Sequence, residues 1–368
     1  SNFKYYYCTI IIYLFCILAA VSEISSESAD DGKSFLAADR RTDFYIQASR
    51  VNWTPAAGSQ FFRMQETRNL EGALFKGSLP LTSGFHFNTG KAESVQASSI
   101  GAGMHIGSKS GTHRGHLNLQ FMESSPRSFN SLNYYTSGTA FNSFSANYAE
   151  LAVQSHSMNS QRRTSLGYDH DFYLLPDHPS RFLTGLGLKV GALMQYDTMS
   201  GGYTSFGSYA ASSTAASLNT GNSIPVKNRI KFDDYMGLTL IGLVYRLVLT
   251  ETQEIELGMN YYRGLSDSRS VSTVWRSQIY SANIPIPGDF NYRTVSDVQG
   301  NSWFAAWILR LTESRSLKLS WFSRILTYDP QRSETKEYGT FFSVKPMGPF
   351  SKVQDSINAL GLEFQFKF

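Results

Sequence analysis

Leu360-Gly361-Leu362-Glu363-Phe364-Gln365-Phe366-Lys367-Phe368 closes the sequence. In an extended strand successive side chains fall on opposite faces. Leu360, Leu362, Phe364, Phe366 and Phe368 then share one face, and Gly361, Glu363, Gln365 and Lys367 the other. A soluble protein avoids exposing so apolar an edge. In lipid the strand is stable with its charged face turned inward, because a charge facing the mid-bilayer costs about 2–4 kcal/mol.

The same alternation recurs upstream from about Val95. Ile100, Ala102, Met104 and Ile106 oppose Ser99, Gly101, Gly103 and His105. Leu117, Leu119 and Phe121 oppose His116, Asn118 and Gln120. Shorter examples surround Leu151 and Val153, and Leu166, Tyr168 and Phe172. The clearest is Leu186, Leu188, Val190, Ala192, Met194 and Tyr196 against Gly185, Gly187, Lys189 and Gly191. Ile255–Tyr261, Trp303–Leu311 and Leu317–Ile325 repeat the pattern towards the C-terminus. Period-two patterning of this kind marks half-apolar strands.

Connections alternate in length. Thr250–Glu254 and Thr312–Ser316 are short and polar, while 197–232, 265–300 and 329–356 are long and rich in Ser, Thr, Gly and Asn. Short turns on one rim and long loops on the other are the habit of membrane barrels, and a soluble sandwich rarely carries several connections of that length. Tyr235–Leu249 is apolar on both faces, so it reads as a buried helix or as a strand packing on an N-terminal plug; its tight turn into Ile255 favours the strand. The segment 124–141 stands awkwardly as a long connection on the short-turn rim. Allowing for a strand there and for N-terminal additions, the expectation is about 12 strands, with a range of about 10 to 14.

Composition agrees with a barrel: 42% of residues are apolar and 14% aromatic, yet mean hydropathy is negative, as expected when strands are apolar on one face only. The net charge of +4 comes without a basic run, so nucleic acid is not an expected partner. At the start, Lys4 precedes the apolar stretch Tyr5–Val21, and Ala19, Ala20 and Ser22 follow as small residues near a cleavage point. That is the form of an export signal over 1–22, with a retained anchor helix as the alternative. Cys8 and Cys16, the two cysteines, both lie within it, so the exported chain would hold together without disulfides. Residues 23–90 read as a periplasmic lead-in, a partial plug or the first strands, and 91–368 as the transmembrane barrel.

The closing strand resembles the terminal recognition signal of Gram-negative-type outer-membrane β-barrel proteins, an alternating aromatic strand ending in Phe; Phe364, Phe366 and Phe368 match it. The resemblance implies an all-β, antiparallel up-and-down barrel in the bacterial outer membrane. It also implies outer-membrane lipid and the barrel-assembly machinery as partners. It points to no narrower family.

Chemistry is sparse. In Asp169-His170-Asp171 alternation sets the histidine on the face opposite both aspartates, and His113 and His116, three apart, also oppose each other. The glycines at 101, 103 and 107, and at 185, 187 and 191, do not have phosphate-loop spacing; they read as thin positions on an inner face. No catalytic set, metal set or cofactor motif is expected, and an enzyme is the less favoured reading. The inward charges are the candidate site: Glu150, Asp169, Asp171, Lys189, Arg246, Glu256, Arg310, Lys318, Arg324, Glu363 and Lys367. Either they pair across and fill a narrow barrel or they line a pore. The first functional expectation is a porin-like channel for small polar solutes. The second is a surface-exposed structural or adhesive barrel whose long loops, above all 197–232, bind a ligand.

Overall fold

The computed structural model describes residues 40–56, 86–87, 94–108, 112–137, 147–176, 178, 180–212, 224–276, 288–338 and 352–367. The export-signal expectation for 1–22 and the C-terminal Phe368 lie outside them. No described helix is long and apolar enough to cross a membrane.

The strands are β1 (Arg40–Thr54), β2 (His86–Phe87), β3 (Val95–Ser108), β4 (His113–Ser124), β5 (Arg127–Ser137), β6 (Asn147–Met158) and β7 (Arg162–Tyr173). After a single helical turn, α1 (Arg181–Thr184), come β8 (Leu186–Ser212), β9 (Ile224–Val248), β10 (Gln253–Arg276), β11 (Gly288–Arg310), β12 (Arg315–Tyr338) and β13 (Val353–Lys367). Every pairing is antiparallel. The wall runs β1-β3-β4-β7-β8-β9-β10-β11-β12-β13, and β13 pairs back on β1 from Asp43↔Lys367 to Thr54↔Ser356. It is a closed barrel of ten strands. The count lies at the low end of the expected range, and β1 comes from within 23–90, the segment read as a lead-in, a partial plug or the first strands.

Two expectations are corrected. The strands anticipated around 150–153 and 166–174 belong to one arm: β6 continues into β7, and both pair with β8, at Met158↔Gly201 and Arg162↔Thr198. Likewise β4 continues into β5. The segment 124–141 is therefore largely the rising arm of a tall hairpin, not a connection on the short-turn rim. Much of the three long Ser- and Gly-rich segments is also strand, since β8 runs to Ser212, β10 to Arg276 and β12 to Tyr338. Beyond the outer apolar belt the period-two hydropathy fades while the backbone ladder continues.

The inner and outer faces follow the sequence pattern. Ile46, Ile100, Leu119, Ile241, Trp303, Leu319, Leu360 and Leu362 stand exposed on the outside, an apolar belt that suits lipid. The turns between β3 and β4, β9 and β10, and β11 and β12 are short and share one rim. Tyr235–Leu249 lies mostly within strand β9, and among the described residues its inner face packs on neighbouring strands and on Ala56, just past the end of β1. Met236 and Leu238 are fully buried with Tyr262, Val298, Leu326, Tyr328 and Val353. A second interior cluster joins Val51, Trp53, Ala97, Met122 and Ile357, with Phe322 against it. Glycine makes room for such side chains. A Cβ on Gly258 would stand 2.3 Å from Cζ of Phe304, its direct cross-strand partner.

Candidate functional site

Strand alternation aims the charged residues of neighbouring strands at one another, and they meet in two tiers inside the barrel. In the tier nearer the short turns, Lys189 of β8 donates to Asp169 at 2.9 Å and lies 3.2 Å from Asp171. Across the wall, Nε2 of His116 stands 2.9 Å from the Asp171 carboxylate. His116 also meets His105 of β3 through their Nδ1 atoms, and His105 Nε2 lies 3.4 Å from Glu363 of β13. Lys318 donates to Glu256 at 3.1 Å, and the Lys189 ammonium sits 5.1 Å from the centre of the Phe304 ring. His116, Asp169 and Asp171 have metal-ligand spacing. The Lys189 ammonium nevertheless supplies the positive charge between the two carboxylates, so these residues do not make a fitting metal site.

The other tier is centred on Arg163 of β7. Its Nε and Nη2 donate to Asp197 at 2.7 and 2.6 Å, and its Nη1 and Nη2 donate to Asp355 at 2.9 and 2.7 Å. Asp355 also accepts from the Trp53 indole at 3.0 Å and from the Ala56 backbone N–H at 3.2 Å. The guanidinium lies 4.6 Å over the Trp53 ring. Arg324 donates to Gln195 at 3.0 Å, and Gln195 to Asp197 at 3.2 Å. Asp234 accepts from Ser266 and Ser268.

These bonds span the bore. β7 and β13 are separated by three strands on one side and five on the other, as are β12 and β8. Arg163–Asp355 and Arg324–Gln195 therefore reach across the lumen. At ten strands side chains can fill a barrel interior, and here Arg163, Asp197, Asp355, Leu326 and Tyr328 are all buried.

Of the sequence-selected residues, Asp169, Asp171, Lys189, Glu256, Lys318 and Glu363 meet in the first tier and Arg324 joins the second. Arg246 chelates Glu254 at the mouth on the short-turn side. Arg310 is exposed on that rim and donates to the Glu251 carbonyl at 3.0 Å. The side chains of Glu150 and Lys367 lie outside the described ones. His170 is turned from the aspartates, stacked on His113 at 5.3 Å and tilted against Phe172 at 4.5 Å. Residue-by-residue reading missed Arg163, Asp197, Asp355, His105 and His116 as site members. Parity carried the signal for Asp197, two residues past Gln195 on the inward face. Asp355 lay in a segment read as loop.

At the end of β4 away from the short turns, beyond the apolar belt, Arg162 and Ser160 hydrogen-bond the Glu123 carboxylate and hold its pKa below the usual range.

No protein-family model matches the sequence, and no curated protein is significantly similar to it. Among solved structures, the outer membrane protease OmpT from Escherichia coli is similar at 12% identity, over 92% of this chain and 99% of that one, with a TM-score of 0.39. The toluene transporter TodX of Pseudomonas putida follows at 7% identity, over 90% of each chain, with a TM-score of 0.27. OprB of Pseudomonas putida gives 8% identity over 90% and 95%, with a TM-score of 0.17. The closed barrel itself rests on the strand pairing.

Proposed function

We propose that the chain is an outer-membrane barrel with a side-chain-filled bore, working as a surface-exposed scaffold that binds ligands on the wall and connections beyond the lipid. One observation carries this reading: β8 to β12 run 27, 25, 24, 23 and 24 residues, whereas a tilted strand spans a bilayer in about 9–11. Roughly a dozen residues per strand remain, on the order of 40 Å of strand at about 3.3 Å each. The crossing bonds of Arg163 and Arg324 add support, since they occupy the space that a solute would need. In this reading Phe364, Phe366 and Phe368 serve the assembly machinery.

A second reading, a channel for small polar solutes, is favoured by the charges on the inner wall, from Lys189 and Glu256 to Lys318 and Arg324. It requires the Arg163–Asp355 bridge to part. Planar-bilayer recording separates the two. The scaffold reading expects no conductance steps from the reconstituted chain in several salts, and regular steps would replace it with the channel. Removing 213–223, between the end of β8 and the start of β9, should abolish surface binding while leaving membrane insertion intact; unchanged binding would remove the adhesive role.

A further inference from the structure

On the short-turn side the barrel opens into a cavity of about 210 Å³, lined among others by His105, Gly107, Arg114, Arg246, Glu254 and Arg310. Its cations are not equivalent. Arg246 is committed to Glu254, and Arg310 to a backbone carbonyl at the rim. Arg114 faces in from β4, between Gly107 of β3 and Asp171 of β7 in register. It makes no hydrogen bond or ion pair with any described residue, for Asp171 is taken by His116 and Lys189.

The neighbouring position is empty of side chain. Gly107 lines the cavity, and among the described residues a Cβ on it would meet nothing nearer than the His113 carbonyl at 3.8 Å. Packing therefore does not demand glycine there, in contrast to Gly103, where a Cβ would stand 2.1 Å from the Leu117 carbonyl. The acids of the cavity are accounted for. Glu254 is chelated by Arg246, Asp43 is engaged, and Glu251 is exposed on the turn.

A half-buried guanidinium beside open space attracts a planar or tetrahedral oxyanion, which it can grip with two parallel N–H donors. We propose that this mouth is a binding site for one small oxyanion, a phosphate or a carboxylate, held by Arg114 and seated over Gly107. The volume suits an anion of a few heavy atoms and some water, at about 30 Å³ per water.

Calorimetric titration of the full chain, refolded in a nonionic detergent, tests the site with inorganic phosphate and, separately, acetate; the arm that binds identifies the class. The expected result is saturable binding of one anion per chain. Arg114→Gln should weaken it by about tenfold or more. Gly107→Leu, which keeps every charge and fills the space, should abolish it. Arg263→Gln, on the exposed outer wall, should leave it unchanged. Absence of saturable binding with both anions overturns the proposal, as does unaltered affinity in Gly107→Leu. Should Arg114→Gln fail to fold, the glycine variant decides alone.

Discussion

Arg163 is the residue on which the interior turns. Its guanidinium is nearly fully buried and divides its donors between two carboxylates. Removing one partner of a buried ion pair leaves the other charge without compensation, at a cost of about 3–5 kcal/mol. Arg163→Met is accordingly expected to lower barrel stability by that amount, read as the shift of the urea midpoint for loss of the compact, heat-modifiable band. Adding Asp197→Asn and Asp355→Asn removes the stranded charges but keeps acceptors for Trp53 and Ala56. The triple variant should recover part of the loss. If it is no more stable than Arg163→Met, packing against Trp53, not charge, is what Arg163 supplies.

At the scale of the element, β13 shows how one strand serves two solvents. Leu360 and Leu362 are 64% and 50% exposed outward, whereas Asp355, Glu363 and Gln365 are buried inside with partners. Leu362→Arg would place a cation against lipid, at a cost of about 2–4 kcal/mol near the midplane, falling to about 0–1 kcal/mol near the interface. Folding titrations in lipid vesicles should show that loss for Leu362→Arg and a much smaller one for Asn358→Arg, nearer the polar rim. Equal losses would mean that the lipid band lies higher on the wall than the exposed apolar side chains indicate. β9 completes the lesson. Its two apolar faces left helix and strand both open, with the tight turn into Ile255 favouring the strand; the inner face is covered by Tyr262 of the adjacent β10 and Leu326 of β12.

For the whole molecule, closure of ten strands and the height of the wall set what it can do. Closure pairs both edges of each of the ten wall strands, the condition for spanning a bilayer. Bonds such as Arg163–Asp355 and Tyr328–Met236 hold facing strands together through the lumen. The wall beyond the belt is expected to project from one leaflet by on the order of 30 Å, given strand rise and a tilt near 45°. Neutron reflectometry of the chain in a supported bilayer checks this as a one-sided protein layer of that thickness. A symmetric layer no thicker than the headgroups would contradict the scaffold reading.

The sequence by itself determined the class of fold and the inward or outward direction of the side chains in the apolar-belted part of the strands. A membrane strand must be apolar outside and can be polar inside, and that demand repeats at period two where lipid touches the wall. Leu186–Tyr196 and the closing strand were legible for this reason, as was the separation of His170 from its flanking aspartates. The tertiary structure alone decided how many strands close the barrel, how far they rise beyond lipid and which charges meet. Above the belt no hydropathy pattern is imposed, so β5 and the upper arms of β8 and β10 looked like loops. Partners such as Arg163 and Asp355 lie 192 residues apart, and only barrel closure brings them within hydrogen-bonding distance.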